Sequence, residues 1–152
     1  MTYYDYVNSP AGVIEIAADD DHVRQIEFVK KAGARKGNKL TREAAKQVRE
    51  YFAGKREKFD LPLAQEGTDF QQAVWRALQS IPYGATRSYA DIAKKVGRPK
   101  AVRAVGAANG QNKIAIVVPC HRVIGANGTL TGYAGGLDKK EVLLKLEGAL
   151  LI

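Results

Sequence analysis

The sequence of 152 residues predicts a mixed α/β fold of the α+β type. We expect a small N-terminal subdomain, residues 1–62, with an antiparallel sheet and one helix. A mostly helical domain containing a helix-turn-helix should follow, at residues 63–152. Two observations predict this order: alternating β-branched and aromatic runs fill the first third, and apolar residues at helical spacing fill the remainder. Hydrophobic residues make up 45% of the chain, enough for a core of this size.

Three short strands are predicted near the N-terminus, at Tyr3 to Val7, Val13 to Ala17 and Val23 to Val29. Residues with turn chemistry (Asn, Ser, Pro, Gly and Asp) separate them. Ala45, Val48 and Phe52 then recur at helical spacing, which predicts a helix from Arg42 to Phe52 with Thr41 before it.

The helical part begins near Thr68 or Asp69, either of which can cap a helix that ends before Pro82. Ser88 or Tyr89 begins a short helix that continues to Val96. A turn containing Gly97 and Pro99 leads into a second helix, predicted from about Lys100 to Asn109. Two short helices joined by a turn with glycine are typical of a helix-turn-helix, although many such hairpins bind no ligand.

The second helix of this pair carries mostly small side chains, at Ala101, Ala104, Gly106, Ala107 and Ala108. A helix that reads base edges in the major groove normally carries long polar side chains. A bare surface fits the narrow minor groove better, with Arg103 as the one long side chain in the middle. Close packing between helices is the alternative explanation for the small residues.

An apolar run from Ile114 to Val118 predicts a strand buried on both faces, which ends at Pro119. Cys120, His121 and Arg122 follow at once. Nearby positive charge lowers the pKa of a thiol and makes it a better nucleophile. The residue pattern alone also fits a structural cysteine beside a histidine in the core.

A last helix is predicted from Leu137 to Gly148, with Asp138 and Glu141 spaced as a capping box. Glu147 lies in its last turn, where a negative charge opposes the helix dipole. A residue placed against its local preference indicates a tertiary role, and orienting His121 is one such role.

Composition limits the classes of function. The single cysteine excludes an internal disulfide and zinc sites built on two or more cysteines, so we expect a reduced, cytoplasmic protein with no metal site. No signal peptide and no membrane-spanning run are predicted.

Residues 63–152 hold 12 basic and 6 acidic side chains, a net charge of +6. Such an excess indicates either phosphate contacts or a solvated basic face. The basic side chains concentrate between residues 87 and 122, at Arg87, Lys94, Lys95, Arg98, Lys100, Arg103, Lys113 and Arg122.

The run Pro119-Cys-His-Arg-Val123 resembles the signature of the O6-alkylguanine-DNA alkyltransferase family, the methylated-DNA–protein-cysteine methyltransferases. The resemblance is clear over about residues 68–150 and is weaker before residue 62. Further matches in order and spacing are Ile81-Pro-Tyr-Gly84 with Ser88-Tyr89, Pro99 to Gly106, Asn112, Gly132-Tyr133, Gly135-Gly-Leu137 and Leu146-Glu-Gly148.

The resemblance implies that Cys120 accepts an alkyl group in a single turnover, with His121 acting through a water and held by Glu147. It also implies that Asn112 is a hinge beside the active site. Tyr89, Val123, Tyr133 and Ala134 resemble the guanine pocket, where Ala134 replaces a serine found in some members. Arg103 resembles the arginine finger of this family, a side chain that fills the space left in the base stack when a nucleotide flips out. The protein would approach from the minor groove.

Double-stranded DNA carrying O6-alkylguanine is the implied partner, with O4-alkylthymine as a second candidate lesion. No cofactor is implied, and a monomer is expected. The DNA contacts are assigned to Ser88, Lys100, Arg103, Ala104 and Arg122. Three alternatives remain at this point: a non-catalytic lesion-binding relative, a helix-turn-helix regulator in which Cys120 merely packs, and a cysteine hydrolase.

Overall fold

The N-terminal strands form the predicted sheet in the computed structural model, which describes residues 1–149. The strands are β1 (Tyr3–Ser9), β2 (Gly12–Ala18) and β3 (Val23–Val29), paired antiparallel in the order β1-β2-β3. The helix α1 (Lys39–Phe52) packs against β1 and β2. Its buried face carries Ala44, Ala45, Val48 and Tyr51, which continue the apolar core of the sheet.

The start of α1 differs from the prediction. Asn38 is the N-cap, and its side chain accepts a hydrogen bond from the Thr41 backbone N–H. Thr41 lies in the first turn, and its hydroxyl completes a capping box with Asn38. The helix therefore begins earlier because asparagine caps a helix as well as threonine does.

The second unit begins at Glu66, since the chain divides into two compact units after Gln65. Residues 150–152 of the predicted second domain lie outside the described residues. Its helices are α2 (Asp69–Gln79), α3 (Tyr89–Lys95), α4 (Val102–Gly110) and α5 (Leu137–Leu146). Two short strands, β4 (Arg87–Ser88) and β5 (Val123–Ile124), pair in parallel, and a 3₁₀ turn at Cys120–Arg122 comes just before β5.

Two local predictions in this unit are wrong. The run Ile114 to Val118 forms a compact turn, closed by hydrogen bonds from Val118 N–H to Ile114 O and from Val117 N–H to Ala115 O. Burial in the core explains its apolar character, which a strand would share. Helix α5 has Gly136 as its N-cap with no side-chain cap, so Asp138 and Glu141 form no capping box.

The predicted fold class is confirmed: an antiparallel sheet with a helix, then a mostly helical unit. Over residues 1–149, no helix is both long and apolar enough to span a bilayer.

Candidate functional site

The turn that precedes Cys120 is held by Asn112. The Asn112 side-chain amide donates to Val118 O at 2.9 Å and to Ile114 O at 3.3 Å, while its oxygen accepts from Ile114 N–H at 3.1 Å. Inside this turn Ile116 has a φ of 72°, a left-handed conformation that β-branched residues rarely adopt. A strained residue persists only where its surroundings fix it, and here the turn leads directly into Pro119 and the 3₁₀ turn that begins at Cys120.

Cys120 is 5% exposed and begins the 3₁₀ turn. Burial raises the pKa of its thiol, because desolvation disfavours the thiolate. Hydrogen bonds from Asn112 and Tyr133 and the charge of Lys140 lower the same pKa. These three groups therefore stabilise the thiolate, whereas burial favours the protonated thiol.

His121 and Glu147 are in direct contact, as the resemblance implied. His121 Nε2 lies 2.7 Å from Glu147 Oε2, and both side chains are fully buried. Burial lowers the pKa of His121, although Glu147 acts in the opposite direction. The neutral imidazole with Nε2–H donating to Glu147 leaves Nδ1 as an acceptor, and Nδ1 is buried with no hydrogen-bond partner within residues 1–149.

Arg122 does not lie on the surface, which contradicts its predicted DNA contact. Its Nε and Nη2 atoms donate to the two carboxylate oxygens of Glu147 at 2.8 and 3.0 Å, and its Nη1 donates to Ile81 O at 2.7 Å. The guanidinium also stacks over the Tyr83 ring at 5.8 Å. Arg122 therefore fixes the carboxylate that holds His121, and it takes no part in the basic surface.

Lys140 is a site residue that sequence reasoning missed. It is fully buried on the inner face of α5, and its amino group donates to Val123 O at 2.6 Å and Thr131 O at 2.7 Å. Burial lowers its pKa to about 8, and the charge of Cys120 opposes this shift. Lys140 precedes Leu143 and Leu144 by three and four residues, which places it on the same apolar face of the helix. A lysine at an apolar position is the sequence signal that could have identified it.

The residues assigned to a guanine pocket come from two segments. The hydroxyl of Tyr89, in the first turn of α3, donates to Thr131 O at 3.2 Å. Tyr133 follows in the same loop, and burial raises the pKa of its phenol well above the usual value. Ala134 is exposed beside it, while Val123 is fully buried next to Lys140. Tyr133 thus interacts with the Cys120 thiol, and Tyr89 is tied through Thr131 to the loop that contains Tyr133.

Helices α3 and α4 pack against each other, and a turn at residues 96–101 joins them. Ser88 caps α3 by accepting from Asp91 N–H at 3.0 Å. In β4, the same Ser88 lies opposite Ile124 of β5, so the start of α3 is tied to the segment that follows Cys120.

The small residues of α4 have two different environments. Ala108 is buried, and its carbonyl accepts from the Trp75 indole at 2.9 Å. Ala104 and Ala107 are exposed on the outer face of the helix. Close helix packing therefore explains Ala108, whereas it leaves the bare outer face unexplained. Arg103 projects from this outer face and is exposed.

The basic side chains predicted to meet phosphates are exposed, with the exception of Arg122. Lys100 precedes α4 and is exposed in the turn between the helices. The others that reach solvent are Arg87, Lys94, Lys95, Arg98, Arg103 and Lys113.

Asn109 is a second residue that sequence reasoning did not assign to the site. It is 4% exposed at the inner side of α4, and its amide donates to Cys120 O at 3.4 Å. Asn109 therefore connects α4, the helix with the bare outer face, to the backbone of Cys120. Within residues 1–149 no group of three or more His, Cys, Asp or Glu side chains is arranged to hold a metal ion.

Two family models match the chain. The DNA-binding domain of 6-O-methylguanine DNA methyltransferase matches residues 69–149, and the ribonuclease-like domain of the same family matches residues 2–65.

Similar proteins agree with these matches. A methylated-DNA–protein-cysteine methyltransferase from Methanosarcina acetivorans is 54% identical over 97% of this chain and 99% of its own. The crystal structure of the O6-methylguanine methyltransferase from Mycobacterium tuberculosis is 45% identical with a TM-score of 0.88, and covers 97% of this chain and 93% of that one. A complex of the M. tuberculosis protein with DNA has 47% identity and a TM-score of 0.87, over 95% and 92% of the two chains.

Proposed function

Because the chain belongs to the 6-O-methylguanine DNA methyltransferase family, we propose that it repairs alkylated DNA by transferring the alkyl group of O6-alkylguanine to Cys120. The observation that carries the proposal is a sole cysteine, buried beside an imidazole that is itself bound to a buried carboxylate. A cysteine that merely packs needs no such pair.

In the proposed reaction the Cys120 thiol loses its proton through a bridging water to His121. Nδ1 of His121 is the acceptor, because Nε2–H donates to Glu147. The resulting thiolate attacks the alkyl carbon, so that an S–C bond forms while the bond between that carbon and O6 breaks. The S–C bond of the thioether product is not readily broken again, so each molecule acts once.

The departing guanine carries the electrons of the broken bond. Donors placed where this charge develops stabilise the transition state. We assign this role to the Tyr133 hydroxyl and to the backbone N–H of Ala134, with Tyr89 and the Val123 backbone as further walls of the base pocket. Asn112 supports the reaction by fixing the turn before Cys120 and by its hydrogen bond to the sulfur.

A buried thiol requires that the damaged nucleotide leave the duplex. Flipping costs a few kcal/mol, and the cost is lower for a mispaired lesion. We propose that α3 and α4 act as a helix-turn-helix whose exposed face, with Ala104, enters the minor groove. There Arg103 fills the space left in the stack, while Ser88 and Lys100 contact the backbone. The exposure of Arg103 and of the basic side chains around α3 and α4 supports this part.

One copy of the chain supplies every residue named, which is consistent with action as a monomer. The free thiol favours a reduced compartment, and we propose the cytoplasm. O4-alkylthymine presents an alkyl group on an equivalent exocyclic oxygen and is a second candidate substrate.

The test is transfer of a labelled methyl group from O6-methylguanine in duplex DNA. The label should move to the wild-type protein, leave unmodified guanine in the strand, and stay on the DNA with Cys120→Ser. Binding of the lesion by both proteins without transfer would instead support the alternative, a non-catalytic lesion-binding protein.

A further inference from the structure

A dense group of basic side chains lies in the N-terminal unit, outside the residues that match the DNA-binding domain. Residues 30–49 hold eight basic side chains and one acidic side chain, a net charge of +7. The rest of this unit, residues 1–29 and 50–65, holds four basic and nine acidic side chains, a net charge of −5. A surface that needs charge only for solubility can mix both signs. The separation of charge within this unit therefore indicates a directed interaction with an anion.

Half of these basic side chains form a row along the exposed face of α1. Their spacings of three, four and three residues place them within about 80° of the helix circumference. The opposite face of α1 carries the apolar residues that pack on the sheet. The members of this α1 basic row, all of them exposed, are Lys39, Arg42, Lys46 and Arg49.

The α1 basic row has no counter-charge of its own. None of its members forms an ion pair within residues 1–149. The acidic side chains of α1 have other partners, since Glu43 accepts a hydrogen bond from a glutamine at 2.8 Å and Glu50 pairs with Arg56 at 2.9 Å. Asp20 and Asp21 line a cleft beside the first part of the row, and in the described part of the chain neither is ion-paired with it.

This arrangement works against the stability of α1. Like charges three or four residues apart on a helix repel each other. Lys39 is the first residue of the helix and Arg42 the fourth, where the helix dipole disfavours positive charge, and the first turn has no acidic residue to offset them. Residues placed against their local preference indicate a role beyond the helix itself.

We propose that the α1 basic row is a second contact surface for the phosphate backbone of duplex DNA, in addition to α3 and α4. With a rise of about 1.5 Å per residue, the row is about 15 Å long. One strand of B-DNA carries a phosphate about every 3.4 Å along its axis, so about four phosphates fall within this length. The row thus matches a short stretch of one strand in length and in charge. Duplex DNA is favoured over an acidic protein because the same chain contains a DNA-binding domain.

Binding of undamaged duplex DNA at several salt concentrations tests the proposal. Each phosphate contact contributes about 0.9 to the slope of log affinity against log salt concentration. Arg42→Gln combined with Lys46→Gln should therefore reduce the magnitude of this slope by about 2, and weaken binding at low salt at least about tenfold. A slope equal to that of the wild type would overturn the proposal.

The matched control removes the same charge from another exposed part of the unit. Lys55→Gln combined with Lys58→Gln changes two exposed lysines that follow α1, and the slope should stay that of the wild type. An equal reduction in this control would mean that only the total charge matters, and the proposal would fail. Arg42→Lys combined with Lys46→Arg keeps both charges of the row and should restore the wild-type slope.

Urea denaturation checks that the variants remain folded. The free energy of unfolding should not fall in the Arg42→Gln, Lys46→Gln protein, because the change removes like charges that repel each other. If it does fall, Lys39→Gln combined with Arg49→Gln, at the two ends of the row, provides the second variant, and its slope should also decrease by about 2.

The result is independent of the proposed repair, because binding of undamaged DNA requires no alkyl transfer. If the wild type binds duplex DNA but transfers no alkyl group, the proposed function fails and the salt slopes still decide the role of the α1 basic row. If alkyl transfer is found while both glutamine pairs bind duplex DNA with the wild-type slope, the proposed function stands and the second contact surface is refuted.

Discussion

Replacing Glu147 by glutamine should lower both the stability and the transfer rate of this protein. The carboxylate accepts hydrogen bonds from His121 Nε2, Arg122 Nε and Arg122 Nη2 within 3.0 Å, and its side chain is fully buried. Glutamine has nearly the same shape as glutamate. In either orientation of its amide, however, the NH₂ group lies against an N–H donor of His121 or Arg122 and cannot accept that hydrogen bond. The substitution also leaves the Arg122 guanidinium buried without a counter-charge. Loss of one partner of a buried ion pair costs about 3–5 kcal/mol.

The same change should slow alkyl transfer, because Glu147 fixes the orientation and tautomer of His121. A positioned general base contributes about 10²–10⁴-fold to a rate. Loss of its orienting partner should cost part of this, about 10- to 10²-fold with free O6-benzylguanine as substrate. Urea denaturation gives the free energy of unfolding, and the transfer assay gives the rate.

Two comparison variants make the test specific. Glu141→Gln breaks an exposed ion pair with Lys145 on the same helix, which is worth roughly 0.3–0.5 kcal/mol, and should leave transfer unchanged. Arg122→Met combined with Glu147→Gln removes the stranded cation, so stability should partly recover while transfer stays slow. If Glu147→Gln behaves like Glu141→Gln in both assays, the account of the buried network is refuted.

Three further outcomes follow from the site and its surface. Arg103→Ala should slow repair of duplex DNA more than reaction with free O6-benzylguanine, because a free base needs no flipping; equal losses would exclude the finger role. Duplex affinity should fall steeply with added salt, and Lys100→Gln should reduce the slope by about 1, whereas a salt-insensitive affinity would contradict phosphate binding. Stability should decrease as the pH falls below the ordinary His121 pKa of 6.5, because the unfolded state then binds a proton that the buried imidazole excludes. Urea midpoints at about pH 7 and pH 5 measure this, and His121→Gln should flatten the difference.

Much of the fold was predictable because the local signals were strong. The three strands have β-branched residues with turn residues between them, and Thr68 and Ser88 cap helices as their side-chain chemistry predicts. The run Ile114 to Val118 was not predictable in the same way. A continuous apolar segment is compatible with any buried conformation, and nothing local signals the left-handed Ile116.

The pairing of His121 with Glu147 was predictable from the resemblance, whereas the residue types alone also fitted a structural cysteine beside a histidine. Arg122 was misassigned because a count of charges says nothing about burial, and its three hydrogen bonds go to residues 81 and 147, far away in sequence. Lys140 was not singled out, because its partners are the backbone carbonyls of Val123 and Thr131, which no residue pattern reveals.

The central claim is that Cys120 itself receives the alkyl group, and peptide mass mapping tests it most directly. After incubation with excess O6-methylguanine duplex, one methyl group per protein should be found on the peptide that contains Cys120, with no further turnover. Continued turnover, or a methyl group on any other residue, would contradict the account.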